Sequence, residues 1–86
     1  MDVKPVVFSR HARQQMLERG ASEEEVIEAI SDGERTPAKH GRVAYRRNFR
    51  YNRIWSGRRY PTKQVMPIAK DEKGRIVVIT VYTFYF

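Results

Sequence analysis

The stretch that decides the fold is SRHARQQMLERGASEEEVIEAISDG, residues 9–33. It reads as two short helices, each with its own start and stop. Ser9 is an N-cap residue, and Ala12, Gln15, Met16 and Arg19 recur at helical spacing until Gly20, so a first helix is predicted over residues 10–19. Ser22-Glu23-Glu24-Glu25 is a capping box, with serine at the N-cap and glutamate three residues on. Acids in a first turn also complement the positive end of the helix dipole. Val26, Ile27, Ala29 and Ile30 supply an apolar stripe that Gly33 ends, which places a second helix over residues 23–32.

Outward from these helices the period changes. Val6-Val7-Phe8, after Pro5, reads as a first strand or an extended lead-in. Beyond the helices, Val43, Tyr45, Arg47, Phe49 and Tyr51 alternate with Ala44, Arg46, Asn48 and Arg50. That is a strand with one mostly aromatic and one basic face, running on toward Trp55. Ser56-Gly57-Arg58-Arg59 is a hairpin turn, and residues 60–69 return, with Pro61 and Pro67 pointing to an edge or bulged strand. After the turn Asp71-Glu72-Lys73-Gly74, residues 75–86 form the strongest strand pattern in the chain. They are β-branched and aromatic on both faces, so they are expected in the sheet centre or beneath both helices. The expected fold is a single α+β domain over residues 1–86: a short first strand, two helices, then a three-stranded antiparallel sheet with the helices on one face.

Composition removes several function classes. The 86 residues are 41% apolar, too apolar for intrinsic disorder. With no cysteine there is no disulfide framework, thiolate metal site or cysteine nucleophile. Two histidines do not build a typical structural zinc site, so neither metal nor cofactor is expected. No apolar run approaches the ~20 residues of a membrane span. The start, Met1-Asp2-Val3-Lys4-Pro5, has no signal-peptide core. A soluble cytoplasmic domain without membrane contact is the expectation.

Charge is segregated along the chain. Residues 1–34 hold four cations against eight acids, a net of −4, and residues 35–86 hold thirteen cations against Asp71 and Glu72, a net of +11. Eleven cations run from Arg35 to Lys70 with no acid between them. Tyr45, Phe49, Tyr51, Trp55 and Tyr60 are interleaved. A one-sign basic stretch attracts polyanions through counterion release, and aromatic and guanidinium planes suit unstacked bases. RNA is therefore the expected partner, with Arg42, Arg50, Arg53, Trp55, Arg58, Arg59 and Lys63 as candidate binding residues. The plainer alternatives are a solvated cationic surface and, for Trp55, core burial.

The run Phe8-Ser9-Arg10-His11-Ala12, followed by Glu18-Arg19-Gly20-Ala21-Ser22-Glu23-Glu24-Glu25-Val26, is distinctive. It resembles the opening of a family of uncharacterised small bacterial and phage domains whose pattern is Ser-x-His-Ala, Glu-Arg-Gly, Ser, two acids and Val. The family's closing strand resembles Ile76-Val77-Val78-Ile79-Thr80-Val81-Tyr82. Gln15-Met16-Leu17 departs from the family's usual Arg-Met-x. The family is similar in layout to RelE/ParE-like toxins and barnase/colicin-like ribonucleases. The resemblance implies a RelE-like α+β domain, a metal-independent endoribonuclease and an acidic antitoxin covering the basic sheet face. It also points to His11, because related toxins use a residue of the first helix.

Metal-free RNA cleavage needs a base for the 2′-OH, donors for the pentavalent phosphate and an acid for the leaving 5′-oxygen. Histidine suits the first or third role, and a first-turn histidine also stands where phosphate is favoured. His11 is the leading candidate; its plainer role is to tie helix to sheet. Arg46 or Arg47 is the candidate phosphate clamp, with a solvated strand face as the alternative. Thr80 and Tyr82, on one face of the last strand, are candidate hydroxyl donors or simply strand formers. His40 joins only if the fold brings it to His11, and Arg19 reads as a helix C-terminal cation. No Gly-rich phosphate loop, nucleophile elbow or HExxH is present. Two alternatives stand beside the toxin-like endoribonuclease: a non-catalytic nucleic-acid-binding module, and a protein-interaction domain docking through its final strand.

Overall fold

Ser9 Oγ accepts from Ala12 N at 3.0 Å and starts the first helix, α1 (Arg10–Arg19). The same hydroxyl donates to Ile79 O at 3.1 Å, so one side chain both caps the helix and ties it to the sheet. Gly20 ends α1 at φ 77°, the left-handed region glycine enters without strain. The capping box of α2 (Glu23–Asp32) is complete: Ser22 Oγ accepts from Glu25 N at 3.1 Å, and Glu25 Oε1 accepts from Ser22 N at 2.9 Å. Such a cap contributes about 1 kcal/mol. Both helices fall on the predicted ranges because cap, period and stop agree locally.

The computed structural model describes residues 4–86. Residues 1–3, part of the N-terminal segment considered above for a signal peptide, lie outside them. The strands are β1 (Val6–Phe8), β2 (Glu34–Pro37), β3 (Val43–Trp55), β4 (Arg58–Glu72) and β5 (Arg75–Tyr85), with a short 3-10 turn at Lys39–Gly41. They form one sheet in the order β1-β5-β4-β3-β2, antiparallel except for the parallel pair β1–β5. The fold is α+β as expected, but the sheet has five strands and not three. β1 joins it by pairing Val6, Val7 and Phe8 with Ile76, Val77 and Val78. β2 was hidden because Glu34-Arg35-Thr36-Pro37 is exposed throughout and has no apolar alternation.

Strand placement is a second correction. β4, expected as an edge or bulged strand from its prolines, is the middle strand and carries register shifts, so the bulged alternative holds and the edge does not. The sheet accommodates each proline with a local irregularity. Opposite Pro61 the β3–β4 register shifts between Arg50 and Arg53. Pro67 has no N–H to give to a neighbouring strand; the β3–β4 register stays in step across it, and the β4–β5 register shifts just beyond it, between Ile68 and Ala69. β5 lies next to the edge strand β1. It packs under α1, while α2 covers β3 and β4. No helix of the described residues is long and apolar enough to cross a membrane.

Both helices cover one face of the sheet. Ala12, Met16 and Val26 meet Tyr45, Val65, Ala69, Val78 and Val81 there, with Phe8, Ile30, Val43 and Phe49 around them. Val26, Val65, Val78 and Val81 are fully buried, and each contributes about 1.5–3 kcal/mol relative to exposure. Among the described residues the opposite face carries no helix.

Candidate functional site

The register assigns the side chains of the helix-free face to cross-strand rows. Arg50 pairs with Thr62, whose backbone bonds Phe86. Asn48 pairs with Gln64 and Gln64 with Phe84; Met66 pairs with Tyr82; Ala44 pairs with Ile68 and Ile68 with Thr80. Tyr82, Phe84 and Phe86 are thus spaced two residues apart along one rim and are 40%, 45% and 54% exposed. Tyr82 and Phe84 stack with ring centroids 6.4 Å apart at 17°. Gln64 Nε2 donates to Asn48 Oδ1 at 2.8 Å, which fixes an amide pair in the row that ends at Phe84, next to the row of Arg50, Thr62 and Phe86. Arg50 has no carboxylate partner among the described residues. Asn48, Arg50, Asn52, Pro61, Thr62 and Phe86 line a cleft of about 350 Å³ beside the bulge. That size is at the lower end of the ~300–1,000 Å³ of small-ligand sites.

The candidate catalytic residues are divided between the two faces. Arg46 is on the helix-free face, in a 2.5 Å ion pair with Glu34 on β2. Arg47 is on the helix side, 3.4 Å from Glu28 and 3.2 Å from Asp32. Thr80 and Tyr82 are on the helix-free face. His11 is exposed in the first turn of α1, one turn before Gln15 on the same flank. That flank runs along the β5 margin: Gln15 Oε1 accepts from Val81 N at 2.9 Å, and Arg19 Nη1 donates to Val81 O at 2.7 Å. The Arg19 guanidinium also lies 5.1 Å over the Tyr82 ring. Thr80 and Tyr82 therefore lie on the helix-free face of β5, His11 is on the helix that covers the other face, and Arg47 is beside α2. His40 sits in the 3-10 turn after β2, at φ 62°. Arg19 O accepts from Thr83 Oγ1 at 2.9 Å and Tyr85 Oη at 2.7 Å, so the helix-terminal arginine is a strap between α1 and β5.

The candidate binding residues also divide. Lys63 is buried on the helix side, 2.7 Å from Glu25 and hydrogen-bonded to Gly20 O, so it is a structural cation and not part of the outward basic surface. Trp55 stacks on Tyr85 at 4.8 Å and 15°, with Tyr51 and Tyr60 also around that ring. Burial in this cluster, with Tyr51 alongside, holds the Tyr85 hydroxyl above the usual phenol range. Trp55 is thereby an anchor for the β3–β4 hairpin. Arg53, Arg58 and Arg59 are exposed at the hairpin end. Arg42 is half-buried where the 3-10 turn leads into β3.

Phe84, Phe86, Asn48 and Gln64 are not among the candidate RNA-binding or catalytic residues read from the sequence. Their alternation was legible, but the final strand's aromatic residues read as core on both faces. Among the described residues no cluster of His, Asp or Glu is arranged to hold a metal ion. The arrangement can stack planar groups on the aromatic rim, hydrogen-bond them through the amide pair and meet phosphate with Arg50. A family model for a domain of unknown function (DUF4258) matches residues 8–83. No curated protein and no solved structure matches the chain.

Proposed function

The chain belongs to the DUF4258 family of domains of unknown function, and from its own geometry we propose that it binds single-stranded RNA on the helix-free face of its sheet. The observation that carries this is the rim of Tyr82, Phe84 and Phe86, about half exposed and two strands away from Arg50, with Thr62 between Arg50 and Phe86 and the Asn48–Gln64 amide pair in the next row, beside Phe84. An unstacked base offers a π-face to an aromatic ring and its edges to amides, and its phosphate is met by arginine. A net charge of +7 brings the polyanion in. A protein docking by strand addition is a poorer fit. The margin of β5 beyond β1 is plugged at Val81, whose N–H and C=O are taken by Gln15 and Arg19.

A second reading, metal-independent cleavage by a RelE/ParE-like toxin, has its own support: α1, which carries the exposed His11, packs along β5, the strand that carries Thr80 and Tyr82. In that reading the 2′-oxygen attacks phosphorus as His11 takes its proton. The bond to the 5′-oxygen breaks, that oxygen is protonated by a neighbouring acid or water, and a 2′,3′-cyclic phosphate remains. Arg46 would clamp phosphate once released from Glu34, and an acidic antitoxin would cover the same cations.

The test is a titration of labelled oligouridine at several salt concentrations, in EDTA, with cleavage products followed in parallel. Saturable, salt-sensitive binding that is lost in Phe84→Ala/Phe86→Ala supports the RNA-binding reading. Cyclic-phosphate fragments lost in His11→Ala add the second. Oligouridine neither bound nor cut overturns both.

A further inference from the structure

Among the described residues the β3–β4 pairing extends past the last β4–β5 pair. β5 reaches Tyr85 opposite Lys63, with Phe86 bonded to Thr62, while the β3–β4 pairing continues to Arg53↔Tyr60, Ile54↔Arg59 and Trp55↔Arg58. The overhang is a two-stranded ribbon about 13 Å long, at about 3.3 Å per residue. Its turn, Ser56-Gly57, has both residues in the left-handed region, at φ 51° and 80°, as a tight two-residue hairpin requires. The ribbon is held in place from one side. Trp55 stacks on Tyr85, and the ring lies so close to Gly20 that a Cβ there would come within 2.8 Å of Trp55 Cζ3.

Directly opposed residues on an antiparallel pair share a face. Arg53 and Arg58 therefore lie on the face of Tyr60 and Trp55, and Arg59 lies with Ile54 on the other. The ribbon presents guanidiniums on both faces, all exposed, and none of the three has a carboxylate within salt-bridge distance among the described residues. Arg59 Nη1 donates to Asn52 O at 2.8 Å, which orients its guanidinium and leaves other donors free. A flat strand of RNA meets one face of a ribbon. Charge on both faces of a narrow element lets it meet two phosphate backbones at once, as they flank the narrow deep groove of an A-form stem, by lying across that groove and not entering it.

We propose that residues 53–59 form a second RNA contact, gripping the phosphates of a base-paired stem next to the single strand on the sheet face. This deepens the single-strand reading and rests on it: the ligand is a junction between paired and unpaired RNA. The ribbon recognises the stem by shape and backbone charge, since side chains do not read base edges in the deep groove of A-form RNA.

The experiment compares two probes, an unpaired oligouridine and the same segment joined to a base-paired stem. The wild type is expected to bind the stem-tailed probe more tightly. Arg53→Ala/Arg58→Ala/Arg59→Ala should lose at least about tenfold on that probe and lower its log Kd–log salt slope by about 2–3, the effect of about three lost phosphate contacts. On oligouridine the same variant should lose only about two- to threefold, the share of the lowered net charge. Circular dichroism and a melting curve confirm that the triple variant is folded. Equal loss on both probes, or no loss on the stem-tailed one, overturns the stem contact. A wild type that binds oligouridine but gains nothing from the stem also overturns it while leaving the sheet-face reading intact. A wild type that binds neither probe removes both.

Discussion

Lys63 Nζ stands 2.7 Å from Glu25 Oε1, a pair that ties the middle strand of the sheet to the first turn of α2. The two side chains differ in exposure, 6% for Lys63 and 24% for Glu25. The lysine also donates to Gly20 O, so it holds the α1–α2 junction from below. Removing either partner strands the other, but not equally. Glu25→Ala leaves a buried ammonium and should cost about 3 kcal/mol. Lys63→Met leaves a carboxylate that reaches water and still accepts from Ser22 N, and should cost about 1–2 kcal/mol. Urea unfolding measures both, and the reverse order would show that the lysine's methylene packing, and not its charge, dominates.

Three glycines separate backbone conformation from space. Gly20 is at φ 77°, and a Cβ there would come 2.8 Å from both Trp55 Cζ3 and Tyr85 Oη. Gly74 is at φ 87° with nothing within 4 Å of a Cβ. Gly33 has an ordinary φ of −79°, but a Cβ would meet the backbone carbonyl oxygens of Ala29 and Arg46. Gly74→Ala is expected to cost about 1 kcal/mol from conformation alone. Gly20→Ala should cost about 2–3 kcal/mol, because two packed rings must also move. Gly33→Ala should cost most, since the obstacle is backbone. Melting temperatures falling in the order Gly74→Ala, Gly20→Ala, Gly33→Ala check this.

Phe84→Ala and Phe86→Ala test the sheet face without testing the fold. Both rings are about half exposed and contribute little to the core. Each substitution is expected to weaken oligouridine binding by about 1–3 kcal/mol, the worth of one stacked base, with unfolding midpoints nearly unchanged. A parallel loss of stability would show that the rings are structural.

Acid sensitivity should come partly from the β4–β5 turn. The hydrogen bond from Lys4, then its charge and that of Arg35, hold Asp71 below its ordinary value of 3.8. The hydrogen bond and charge of Arg75, with help from Lys70, hold Glu72 below 4.5. A carboxylate whose folded value is depressed stabilises the fold above its ordinary value, and that contribution is lost as pH falls through the folded value. Stability should therefore decline as pH drops below about 4.5, and Asp71→Asn/Glu72→Gln should flatten the decline. The groups are at the surface, so the difference should be small and shrink in high salt.

The plug at Val81 predicts an assembly phenotype. Gln15 and Arg19 hold the N–H and C=O that β5 would otherwise offer to another strand. Gln15→Ala/Arg19→Ala is expected to expose that edge and to convert part of the protein to dimers or larger species on size-exclusion chromatography. An unchanged elution profile would mean that the bulk of α1 alone protects the edge.

The helices were legible in the sequence because everything that defines them is local. Ser9, Ser22, Glu25, Gly20 and Gly33 act within a turn of the residues they cap. The long strands β3, β4 and β5 were legible from alternation, as was the separation of Arg46 from Arg47. Their order in the sheet was not. Pro61 and Pro67 argue for an edge or a bulge, and only the register irregularities beside them make a middle strand tolerable. β2 lacks any apolar signature and forms because Arg46, Tyr45, Ala44 and Val43 present a free edge to it.

The candidate site was less legible, for one reason that can be located. Between Ile68↔Thr80 and Ala69↔Val78 the register slips, and Ile79 is the extra residue. Ile76 and Val78 face the helices, and so do Val81, Thr83 and Tyr85. Thr80, Tyr82 and Phe84 face away, although simple alternation would put them with Val78. The sequence by itself determined the helices, the strand pattern, the charge segregation and the aromatic alternation, since these rest on neighbours in the chain. Only the tertiary structure decided which face of β5 is buried, that Lys63 is a structural cation and that the arginines of residues 53–59 stand clear. Each of these depends on a bulge, a buried pair or a cross-strand register set by residues far apart in the chain.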